Sequence, residues 1–96
     1  MVIVTARILT QPGKRSAFIE AAQTPIAATR REEGCITYEL FASTEDENRL
    51  MYYEQWADRA ALARHMESAH MKEFARRKQE ENLQVGPSDV KVYDVA

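Results

Sequence analysis

Two histidines, one tryptophan and a few buried-prone carboxylates and phenols are the side chains of this 96-residue chain with most to offer chemically. His65 follows Leu62 by three positions, which on a helix turns its imidazole towards the apolar face. With an ordinary pKa of about 6.5, such a ring can take a proton from a weakly acidic group such as a hydroxyl. It can equally do no more than hydrogen-bond the backbone and fix a helix against a sheet. His70 comes five residues later, about 140° around a continuous helix. Metal-binding histidine pairs on helices are four apart so that both rings meet one ion. No metal centre is therefore expected, and His70 reads as a residue that packs, or caps a bend near Ser68, more than one that catalyses.

Trp56 stands nine residues before His65, at the end of a strand-like segment, where an indole can wall an aromatic pocket or simply fill the core. Glu54 shares a strand face with Leu50, Tyr52 and Trp56, so its carboxylate must find a partner. It can orient His65, but pairing with Arg7, Arg49 or a second subunit is the plainer expectation. Tyr38, Leu62 and Phe74 complete the candidate substrate-binding set. Cys35 follows a helix end rather than beginning one and has no adjoining histidine, so its thiol is expected to be inert. The run Arg30-Arg31-Glu32-Glu33 reads as a solvated helix face. Gly13, Gly34 and Gly86 are too far apart to form a phosphate-binding loop.

These residues must be positioned by elements that the periodicity announces. Val2 to Thr10 is rich in β-branched residues and stops at Pro12-Gly13. From Lys14 to about Glu33 the spacing of Phe18, Ala22 and Ile26 predicts a helix, with a kink or break at Pro25 and an end at Gly34. Cys35 to Ala42 alternates, placing Ile36, Tyr38 and Leu40 on one face. A polar turn separates it from Arg49 to Trp56, which predicts an antiparallel hairpin. Asp58 can cap a second helix carrying Leu62, Met66, His70 and Phe74 at steps of four, and Val90 to Val95 alternates as a last strand. The order β-α-β-β-α-β is the split-βαβ pattern of an α+β, ferredoxin-like domain, residues 1–96, with two helices over one face of a four-stranded antiparallel sheet. Its other face, with Thr5, Arg7, Phe41 and Tyr53 among its residues, is apolar enough to expect cover from a second copy.

Composition narrows the partners. The chain is 45% hydrophobic and 29% charged with a formal charge of −2, which argues against a nucleic-acid footprint and leaves a small, weakly polar ligand open. One cysteine allows no internal disulfide, so a reducing cytoplasm is the simplest location. The opening residues lack the long apolar run of a signal peptide, and no stretch is long enough for a membrane span.

Glu32-Glu33-Gly34-Cys35, the strand ending Glu54-Gln55-Trp56, and His65 with His70-Met71 on the following helix together resemble the antibiotic biosynthesis monooxygenase family, nearest its quinol monooxygenase branch. The resemblance covers the whole chain. It implies a dimeric α/β barrel and a cofactor-independent monooxygenase acting on a quinol or polycyclic phenol with O2, without metal. In that reading His65 assists deprotonation, and Trp56, Tyr38, Leu62, Phe74, Glu54 and His70 line the substrate. The same family includes isomerases of phosphorylated signalling metabolites, which would need a cation such as Arg7 or Lys72 near the pocket. A non-catalytic binding module is the third possibility. Heme-degrading members carry an asparagine where this chain places Thr5, a departure that argues against heme cleavage.

Overall fold

A computed structural model describes all of residues 1–96. Its elements are β1 (Val2–Leu9), α1 (Arg15–Arg30), β2 (Cys35–Ala42), β3 (Arg49–Trp56), α2 (Arg59–Met66), α3 (Ala69–Glu80) and β4 (Asp89–Asp94). The four strands form one antiparallel sheet in the order β2-β3-β1-β4, the ferredoxin-like arrangement. The sheet is open, with β2 and β4 as its edges. No helix is long and apolar enough to cross a membrane.

Strand alternation explains which face is covered. Val2, Val4, Ala6 and Ile8 of β1 and Leu50, Tyr52, Glu54 and Trp56 of β3 are buried against the helices, while their odd-numbered neighbours face the other way. Phe18, Ala22 and Ile26 of α1 meet this face, as their four-residue spacing requires. One cluster of fifteen buried hydrophobic residues results, running from Val2 to Leu83.

Four local expectations are corrected. First, α1 ends at Arg30 instead of about Glu33, and it runs through Pro25 without a break. Pro25 is buried within the helix, where the packing of one apolar face sustains the helix across one missing hydrogen bond. Second, Gly34 does not cap α1. It closes the turn beyond it with φ +87°, and Ala57 N–H donates to its carbonyl at 2.8 Å.

Third, Ile36 does not share a face with Tyr38. The β2–β3 register shifts between Cys35 and Thr37, so Ile36 is the extra residue of a bulge and is 57% exposed, while Cys35 sits opposite Trp56. Fourth, three helices cover the sheet instead of two. The bend expected near Ser68 is a full break, which divides the second predicted helix into α2 and α3 at Glu67–Ser68. Asp58 caps α2 by accepting from Ala61 N–H at 2.8 Å, as expected, and Ser68 supplies a second cap by accepting from Met71 N–H.

Candidate functional site

The site forms where the α1–β2 turn, the Trp56 end of β3 and the α2–α3 junction converge. His65, in the last turn of α2, is 1% exposed. Its ring lies 4.7 Å from that of Trp56 and 5.4 Å from that of Tyr38, and Tyr38 in turn stacks at 5.2 Å on Tyr52. Alternation along β3 puts Tyr52 and Trp56 on the helix-facing side, and the β2 bulge brings Tyr38 beside them.

The partner that holds His65 is Glu32. Its Oε2 lies 2.8 Å from His65 Nδ1 and 2.8 Å from His70 Nε2, so one carboxylate oxygen bridges both rings. Glu32 is 16% and His70 23% exposed, which places the bridge at the rim of the buried cluster. The expectation of a solvated helix face at Arg30–Glu33 is thus corrected at Glu32. Because α1 stops at Arg30, Glu32 belongs to a turn that folds back over α2 instead of a helix face looking outward.

The two histidines also relate differently from the spacing argument. On a continuous helix they would point about 140° apart. The break at Glu67–Ser68 redirects α3, and the ring centroids stand 6.2 Å apart with both rings aimed at Glu32.

Glu54 finds its partner on its own strand. Trp56 Nε1–H donates to Glu54 Oε1 at 2.9 Å, two residues along the same face. The expected pairing with Arg7 or Arg49 is not made, because both arginines lie on the opposite face of the sheet while Glu54 is buried beneath the helices. Nor does Glu54 orient His65; Glu32 does. Burial pushes the Glu54 carboxyl up to about 7, only partly offset by the Trp56 hydrogen bond, with Glu32 adding to the rise. Burial lowers the His65 imidazole below its ordinary 6.5, against the opposing pull of Glu32. The Tyr38 phenol is held far above its ordinary range by burial and by Glu54. Burial likewise raises the Cys35 thiol, in keeping with an inert cysteine.

Of the sequence-predicted set, the structure thus gathers His65, Trp56, Tyr38, Glu54 and His70. Phe74 belongs instead to the α1–α3 contact, edge-on to Phe18 at 5.5 Å with Lys78 over its ring. Leu62 is half-buried against the core. Neither cation wanted by an isomerase of phosphorylated compounds is beside His65: Arg7 is on the far sheet face, and Lys72 is exposed and paired with Glu67. A surface depression of about 490 Å3 along β2 reaches Tyr38 and is also lined by Arg30, Cys35 and Thr37. A larger cavity, about 700 Å3, is elsewhere, lined by Arg7, Leu9, Phe41, Arg49 and Met51 among others.

The arrangement can hold an imidazole in one tautomer. With Nδ1–H donated to the Glu32 carboxylate, the lone pair is left on Nε2, which makes no hydrogen bond within the chain. A neutral, oriented ring of this kind is suited to accepting a proton.

Against known proteins, the profile of the family described as antibiotic biosynthesis monooxygenase matches residues 1–77. The chain belongs to that family. Among its relatives, "Putative monooxygenase YcnE" of Bacillus subtilis is 37% identical over 90 residues, covering 94% of this chain and 93% of its own. An uncharacterised protein of Synechocystis, sll1783, is 32% identical over 95 residues; the chain spans only 63% of its length. The structure of Rv0793 from Mycobacterium tuberculosis superposes with a TM-score of 0.85 at 33% identity, covering 99% of this chain and 94% of that one. Membership in the antibiotic biosynthesis monooxygenase family establishes a monooxygenase-like function at the level of the family, together with the ferredoxin-like fold.

Proposed function

We propose that the chain is a cofactor-independent monooxygenase that oxidises a quinol or polycyclic phenol with O2, and that His65 removes the substrate's hydroxyl proton. The observation that carries this reading is the buried imidazole of His65, set against Trp56 and Tyr38 with Nδ1 fixed by Glu32 and Nε2 free. A deprotonated quinol is electron-rich enough to reduce O2 itself. One oxygen atom then enters the substrate and the other leaves as water, with all the electrons drawn from the substrate.

Trp56 and Tyr38 supply flat apolar surfaces for an aromatic ring. The proposed way in is the depression along β2, which Tyr38 helps to line. In this reading His70 and Glu54 contribute through their contacts with Glu32 and Trp56. Glu32 acts as a positioning residue, touching His65 and not the substrate. A second copy of the chain covering the open sheet face completes the proposed assembly, since Phe41 and Tyr93 are left about half exposed there.

Oxygen consumption with a panel of reduced quinols and polycyclic phenols, without added flavin or metal and with autoxidation subtracted, tests the reading. Enzyme-dependent uptake is expected, and His65→Ala should reduce it at least about a hundredfold, the range of a general base. Unchanged uptake in the variant would remove His65 from the chemistry. No uptake with any substrate, alongside saturable binding and intact recovery of the ligand, would make the chain a binding module.

A further inference from the structure

The convergence of Glu32, His65 and His70 has a use beyond hydrogen bonding. We infer that these three side chains form a binding site for one divalent transition-metal ion of the Zn2+ and Cu2+ class. His65 Nδ1, His70 Nε2 and a Glu32 carboxylate oxygen all lie within 4.8 Å of one another. The carboxylate oxygen is already 2.8 Å from each nitrogen. Metal–nitrogen and metal–oxygen bonds of about 2.0–2.1 Å set tetrahedral ligand atoms about 3.3 Å apart. For one ion to take the place of the two bridging hydrogen bonds, the carboxylate oxygen recedes by about half an ångström and the His70 ring closes on His65, from a nitrogen–nitrogen separation within 4.8 Å to about 3.3 Å. Glu32 and His70 are the partly exposed members of the three, so the adjustment falls on them and not on the buried His65.

The donor set selects the ion. Two imidazoles and one carboxylate suit Zn2+ or Cu2+, whereas Mg2+ demands six oxygens in a near-ideal octahedron. The half-buried rim formed by His70 and Glu32 gives an entry path and leaves a fourth position for water. The elements hold the ligands from two directions, the α1–β2 turn on one side and the α2–α3 junction on the other. The junction does the essential work: without the break at Glu67–Ser68, rings five residues apart could not meet one ion. Resting on the proposed reaction, a further consequence is inhibition. With the ion on Nδ1, the proton of the neutral His65 ring moves to Nε2, and the lone pair that would accept the substrate proton is gone.

The test uses the tag-free chain, first stripped with chelator, and reads no turnover, so it stands apart from the oxygenase proposal. Calorimetric titration with Zn2+ should show one saturable site per chain, and Mg2+ should show none. Cu2+ added at one equivalent should give an electron paramagnetic resonance signal with hyperfine splitting from two imidazole nitrogens. His70→Ala, at the rim where folding is least at risk, should weaken Zn2+ binding at least tenfold and remove one nitrogen from the Cu2+ spectrum. Glu32→Gln should weaken Zn2+ binding to a similar degree. Circular dichroism establishes that both variants are folded. No saturable Zn2+ binding by the wild type, or wild-type affinity retained in folded His70→Ala and Glu32→Gln, would overturn the site.

Discussion

The two ends of the sheet are built from the same central strands and behave in opposite ways. At one end Val2, Trp56 and Cys35 lie side by side across β1, β3 and β2, roofed by α2 and the α1–β2 turn. Here sit three groups whose ionisation burial has shifted: Glu54 up to about 7, His65 downward and Tyr38 upward. At the other end Leu9 faces Arg49 and Leu50 faces Ala42, and the surface opens into a groove of about 700 Å3 edged by Val85 and Pro87. Strand composition does not make this difference; the cover does. A carboxylate and an imidazole become chemically unusual only where neighbours exclude water and leave them one partner each.

The largest effect should come from lifting the cover. Gly34 carries φ +87°, and a Cβ placed there would stand 2.5 Å from Ala61 Cβ in α2. Gly34→Ala adds a left-handed penalty of about 1–2 kcal/mol to that clash, so a total loss of roughly 3 kcal/mol is expected in urea denaturation. A loss below about 1 kcal/mol would mean that turn and helix adjust freely, and that this contact does not hold the closed end together.

Glu54→Gln sharpens the comparison, because it keeps an acceptor for the Trp56 indole while removing the ionisation. A carboxyl raised in the folded state from its ordinary 4.5 to about 7 binds protons more tightly folded than unfolded. Its contribution is full below the unfolded value and is lost as pH rises through about 7. Wild type and variant should therefore match near pH 4, and the variant should be more stable by up to roughly 3 kcal/mol at about pH 8.5. Parallel stability curves across that range would show that Glu54 is not desolvated as the fold implies.

The smallest effect belongs to the open end. Arg49 and Asp46 approach at 3.9 Å with both side chains well exposed. Arg49→Gln should change stability by no more than about 0.5 kcal/mol, and added salt should erase even that. A larger, salt-insensitive loss would give the open end a share in stability that its exposure does not explain.

Much of this was legible in the sequence because it is local. The β-α-β-β-α-β order follows from runs of period two and period four, and the α2 cap from Asp58. The shared face of Tyr52, Glu54 and Trp56 follows from strand alternation alone. What could not be read were departures from a period. The extra residue at Ile36 leaves the alternation of β2 looking regular, and the passage of α1 through Pro25 depends on packing that no local rule contains. Glu32 was hidden differently. It meets His65 across 33 residues and His70 across 38, and beside two arginines it looks like surface. Two signals pointed to it: Gly34, which fits a turn better than a helix face, and His65, a ring on an apolar stripe that needed a partner.

The joint at Glu67–Ser68 has a consequence for how such a chain can diversify. Each helix beside it has its own cap, so residues can be gained or lost at the joint without rewriting the packing of α2 or α3. A single insertion there would swing His70 away from Glu32 while leaving His65 under its roof. Descendants of this sequence could thus add or discard the second histidine in one step, keeping the fold and the first histidine intact while the site is put to other ends.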